Sequence, residues 1–118
     1  RDDRGSVALF GRAGQDADFI IRCDSARKSI FLSRAGMIPE NGTAPMTVRA
    51  SNGEKAFTVR NTGDTPSYVA VELPVTEPQL DIMAFSRGKF IVSIPGAPDL
   101  VVPPWAEFSR VIEDCRVR

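Results

Sequence analysis

Apolar and polar residues alternate in short runs along the first two thirds of the chain, and a helical spacing appears only afterwards. Residues 6–10 form a short apolar run. Over 17–23, Phe19, Ile21 and Cys23 fall in one phase and Ile20 and Arg22 in the other, which predicts a strand buried on one face. A turn at 24–27 leads to a second strand over 29–34, and the two are expected to form a hairpin. Residues 35–45 hold two Gly and two Pro and read as the longest and most mobile loop. Residues 46–50 and 56–60 alternate strictly on either side of Asn52-Gly53, the strongest hairpin signal in the chain. A further strand is expected over 68–73.

The period changes at Thr76. Thr76 and Gln79 have the spacing of a capping box, and Pro78 suits a first helical turn. Leu80, Met83 and Ala84 then repeat at helical spacing, and Gly88 is the expected stop. Phe90, Val92 and Ile94 return to the strand period, followed by a turn at 95–99 and a short strand at 100–102. Pro103-Pro104 opens a second helix, with Trp105, Phe108, Ile112 and Cys115 on one face. The sum is seven or eight short strands and two short helices late in the chain. No β-α alternation occurs, which disfavours a parallel sheet. The expected fold is mainly β, an antiparallel sandwich or half-open barrel forming one domain over 1–118.

Composition narrows the function. The chain has 118 residues, 42% of them hydrophobic and 25% charged, as a folded domain requires. Its 15 basic and 15 acidic residues cancel, so binding nucleic acid through bulk charge is not expected. The absence of histidine excludes a His-based triad and a His-ligated zinc site. A serine nucleophile would need a lysine or carboxylate as its base, and no Gly-x-Ser-x-Gly elbow is present. The adjacent carboxylates Glu113-Asp114 and Asp2-Asp3 read as a solvated turn and a terminus. Residues 11–14 read as a plain loop, because a strand rather than a helix follows. No catalytic residue, metal site or cofactor is expected. No run approaches the ~18 apolar residues of a membrane span. The chain opens on Arg1 and its first methionine is Met37, which we read as the mark of a processed or excised chain.

Two features carry candidate sites. Cys23 lies in the core phase of an early strand and Cys115 on the core face of the last helix, so a disulfide between them would staple that helix to the sheet. Two separate buried thiols are the alternative, and a redox pair or metal site has neither a C-x-x-C motif nor histidine to support it. A disulfide would also point to an oxidising compartment. The basic residues are 12 Arg and only 3 Lys. Arg49 and Arg60 lie in the polar phase of two paired strands and offer a cationic surface to a partner, with Arg87 at the end of the first helix. The alternative is a solvated face beside Glu54 and Glu72, with Arg87 offsetting the helix dipole.

Four stretches resemble a group of small alphaproteobacterial envelope proteins. They are Phe19-Ile20-Ile21-Arg22-Cys23-Asp24, Ile30-Phe31-Leu32-Ser33-Arg34, the segment from Leu80 through Ala84-Phe85-Ser86-Arg87-Gly88-Lys89-Phe90, and the segment from Val102-Pro103-Pro104-Trp105 to Cys115-Arg116. The resemblance implies export and a paired-cysteine fold, and carries no activity or assigned site. The layout is more distantly similar to the type VI secretion accessory family VasI, with its Arg-Cys strand and a terminal helix ending in cysteine. Periplasmic lysozyme inhibitors share the early and late cysteines on a small barrel, although their Ser-Gly-Ala and Tyr-Trp-x-Lys-Gly stretches are absent here. The expected function is therefore a non-enzymatic binding or scaffolding module, periplasmic or secreted, whose partner is a protein or cell-envelope polymer. The alternative is a periplasmic inhibitor of a cell-wall hydrolase that blocks a cleft with the loop at 35–45.

Overall fold

A computed structural model describes residues 6–39, 42–63, 66–86 and 88–117. Eight strands are present: β1 (Val7–Phe10), β2 (Phe19–Asp24), β3 (Ser29–Ala35), β4 (Thr43–Ala50), β5 (Gly53–Asn61), β6 (Tyr68–Pro74), β7 (Phe90–Ser93) and β8 (Leu100–Val102). Helix α1 (Pro78–Ala84) falls between β6 and β7, and α2 (Ala106–Val117) ends the described chain. The strands form one sheet in the order β1-β2-β3-β6-β5-β4-β7-β8, with every neighbouring pair antiparallel. With eight strands, the two edges also run in opposite directions, and the sheet curls into a nearly closed barrel. Mainly β with two late helices is thus the observed fold, and the barrel replaces the sandwich.

Alternation sets the inside of the barrel. On β2, Phe19, Ile21 and Cys23 are buried, opposite Arg34, Leu32 and Ile30 of β3. On β4, Met46 and Val48 point inward, and on β5 so do Phe57 and Val59. The cavity is filled: Phe19, Leu32, Val59, Val69 and Val92 have no exposed surface. Phe19 of β2 meets Phe90 of β7 edge-on, with ring centroids 5.9 Å apart, so distant strands touch across the barrel. Helix α2 packs on β1, β2 and β3 through Phe108, Val111, Ile112 and Cys115. Helix α1 packs on β4 and β5 through Leu80 and Met83.

Several local expectations shift. The loop expected over 35–45 is shorter, because β3 runs through Ala35 and β4 begins at Thr43. Pro45 is tolerated because β7 pairs only with residues 47–49 of β4, leaving no partner for its missing N–H on that side. The loop is also tethered. The Ile38 N–H donates to Asn61 Oδ1 at 3.1 Å, and Asn61 Nδ2 donates to the Ile38 carbonyl at 2.8 Å. In the β4–β5 hairpin, Ala50 pairs with Gly53, so Ser51-Asn52 rather than Asn52-Gly53 forms the two-residue turn. A Cβ on Gly53 would stand 3.2 Å from Ile82 Cδ1, so glycine lets α1 approach the hairpin closely.

The capping box is not formed. Glu77 is the N-cap of α1, its carboxylate accepting from the Gln79 N–H at 3.0 Å. Gln79 turns its side-chain amide to the carbonyls of Val48 (3.2 Å) and Gly53 (3.4 Å), fastening the helix to the hairpin. The helix stops at Ala84 with Phe85 as C-cap, before Gly88 is reached.

Candidate functional site

The cysteines expected to pair do pair. A disulfide joins Cys23 to Cys115, with both residues wholly buried. This is compatible with an oxidising compartment. It fastens the C-terminal end of α2 to β2. Arg116 adds a second anchor by donating Nε to the Val75 carbonyl at 2.8 Å and both guanidinium arms to Asp81 of α1 at 2.7 and 3.1 Å. Hydrogen bonding from Arg116 holds the Asp81 carboxyl below the usual carboxylate range, against a smaller opposing effect of burial.

Arg49 and Arg60 do not form a continuous stripe. The register sets Arg49 opposite Glu54 and Arg60 opposite Thr43, at the two ends of the β4–β5 ladder. Six residues of strand separate them, about 20 Å at the usual rise. Arg49 makes an exposed ion pair with Asp99 at 3.4 Å. Arg87 lies outside the described residues.

What the structure does bring together is a cleft at the join of the two helices. Its first depression, about 390 Å³, is lined by Met83, Ala84 and Ser86 on one side and by Phe90, Trp105 and Phe108 on the other. The aromatic wall is continuous: Trp105 stands 5.9 Å from both Phe108 and Phe10, and Phe108 stands 5.4 Å from Phe90. Gly88 borders both this depression and a second, of about 450 Å³, lined also by Arg49, Ala50, Ser51, Lys89 and Ile91. The Ser109 hydroxyl donates to the Ala84 carbonyl at 3.5 Å, and Ser51 and Ser86 share a hydrogen bond of 3.2 Å. These contacts set the spacing of the walls. Phe85, between the lining residues Ala84 and Ser86, is 71% exposed. Among the described residues, Lys89 has no ion-pair partner.

Helical spacing puts Trp105 and Phe108 on one face, but it does not show that α1 stops short and leaves Trp105 beside an opening. Two Ser-x-x-Lys spacings occur in the chain, Ser25 with Lys28 and Ser86 with Lys89. Ser86 is hydrogen-bonded to Ser51, not to Lys89.

Among the described residues the most buried charge is Arg34, only 6% exposed on the inner face of β3. It donates to the carbonyls of Val92, at 3.2 Å, and Pro98. Burial lowers its proton affinity while Asp99 and Asp18 raise it, and a guanidinium stays charged throughout. Its phase was legible, because Ile30, Leu32 and Arg34 alternate inward.

Other perturbed groups serve the scaffold. Burial pushes the Glu77 carboxyl up, but the Gln79 N–H and the Lys55 ammonium, 3.0 Å away, hold it below the usual range. Burial, followed by Asp16 and Asp18, raises the Tyr68 phenol, which donates to the Ala17 carbonyl at 2.7 Å. None of these groups lines the cleft. Among the described residues no three His, Cys, Asp or Glu side chains gather as a metal site, and no helix is long and apolar enough to cross a membrane. Compared with family models, curated proteins and solved structures, the chain shows no match.

Proposed function

We propose that this chain is a non-enzymatic binding or scaffolding module of the bacterial cell envelope, working outside the cytoplasm. The observation that carries the binding role is the cleft, an open aromatic-walled depression with the exposed Phe85 beside it. Aromatic residues are enriched at contact surfaces, and here Phe85 and Trp105 lie beside one concavity. Among the described residues, the titratable groups with shifted proton affinity are engaged in holding the fold and none lines the cleft, which favours binding over acid-base chemistry. The buried disulfide supports the compartment.

Two measurements test this reading. When host cells are lysed directly into denaturant containing a thiol-trapping maleimide, both cysteines should stay unmodified until a reductant is added. Full modification without reductant contradicts the compartment. A photo-crosslinking amino acid at position 85 should give a discrete adduct in the envelope, absent from position 58, which lies exposed on β5. Equal or absent adducts from both positions contradict the binding role.

A further inference from the structure

The two depressions differ in chemistry, and that difference specifies an occupant. The first presents the half-buried Trp105 as its accessible aromatic face, beside Met83, Phe90 and Phe108, which are themselves buried, and so offers a shallow apolar seat for one large group. The hydroxyls that border it are already engaged, Ser86 by Ser51 and Ser109 by the Ala84 carbonyl. A sugar, which needs several convergent hydrogen-bonding groups, therefore finds few here. Among the described residues, the charged side chains that line the second depression are both cations, Arg49 and Lys89. Among the described residues Lys89 has no ion-pair partner, and Arg49 pairs with Asp99 in an exposed contact of the kind that contributes little. A long acyl chain has nowhere to run, because the barrel interior behind the cleft is filled by Phe19, Val59 and Val92. Volumes of about 390 and 450 Å³ lie at the low end of the ligand-site range.

We infer that the cleft takes an acidic peptide segment, seating one aromatic or large aliphatic side chain against Trp105 and setting its carboxylates against Lys89 and Arg49. The inference rests on the binding role proposed above and names the partner's chemistry. The apolar wall supplies affinity through burial of the anchor side chain, and the cations select charge and speed encounter.

Trp105 is the chain's only tryptophan, so its fluorescence reads the first depression directly. The oxidised chain would be titrated with the blocked peptide acetyl-Glu-Glu-Phe-Glu-Glu-amide. A saturable shift in Trp105 emission is expected, weakened by added salt. Acetyl-Glu-Glu-Ala-Glu-Glu-amide and acetyl-Lys-Lys-Phe-Lys-Lys-amide should each bind at least ten-fold more weakly. Lys89→Glu should weaken the acidic aromatic peptide by at least ten-fold with an unchanged melting temperature. The inference is overturned if the alanine peptide binds equally well, if Lys89→Glu has no effect, or if phosphatidylglycerol vesicles or peptidoglycan fragments shift Trp105 where the peptides do not. Failure of the peptides while the position-85 adduct persists removes the peptide chemistry alone. Loss of the adduct as well removes the binding role.

Discussion

Cys23 and Cys115 lie 92 residues apart in the chain and are joined by a disulfide across a Cα separation of 5.5 Å. The bond links β2, near the start of the sheet, to the last turns of α2, whose first turns supply Phe108 to the cleft. Closing a loop of this length removes much of the unfolded chain's freedom, worth about 4 to 5 kcal/mol in the chain-entropy model. Reduction, or the Cys23→Ala/Cys115→Ala variant, is expected to lower unfolding free energy by about that amount. Urea titration monitored by Trp105 emission measures it. Equal midpoints for oxidised and reduced protein would show that α2 is held without the bond.

Arg34 spans the barrel from β3 to the carbonyls of Val92 and Pro98, holding β7 and the turn after it. Arg34→Met keeps much of the side-chain length but deletes every donor, leaving acceptors unpaired. A loss of about 2 to 3 kcal/mol is expected. Arg34→Lys should recover only part of it, since one ammonium does not reproduce the guanidinium fork. Chemical denaturation of the three proteins compares them, and an Arg34→Met protein as stable as the parent would remove the bracing role.

Acid should loosen the helices first. The Glu77 and Asp81 carboxyls are held below their usual values of about 4.3 and 3.9 in the folded chain. The stability each contributes is therefore complete above its unfolded value and is lost as pH falls through the lower folded one. Tm should stay level from pH 7 to about 5 and fall below about pH 4. Glu77→Gln/Asp81→Asn should start lower at pH 7 and lose less on acidification. Melting curves that fall in parallel for both proteins would contradict this.

Much of the fold was legible because period-two alternation is a local signal. Phe19, Ile21 and Cys23 announced their face, and so did Met46, Val48, Phe57 and Val59. The paired cysteines were legible for the same reason, each lying in a core phase. Strand order was not, since the crossing that places β6 beside β3 and β7 beside β4 depends on contacts far apart in sequence. The capping residue was missed because Thr76 matches a spacing rule, while Glu77 gains Lys55 from a distant strand. Residue phase shows that Arg49 and Arg60 share a face, but only the register shows that they stand at opposite ends of it. The cleft left no local signal, being a gap between α1 and α2.

The cleft is central to this account, and filling it is the most direct test. Ala106 is exposed and lines the first depression at the start of α2, so Ala106→Trp occupies the space without disturbing the buried core. Crosslinking from position 85 in the envelope would be compared with and without this substitution. The account predicts that the adduct is lost in Ala106→Trp while the melting temperature is kept; an adduct that persists undiminished would contradict it.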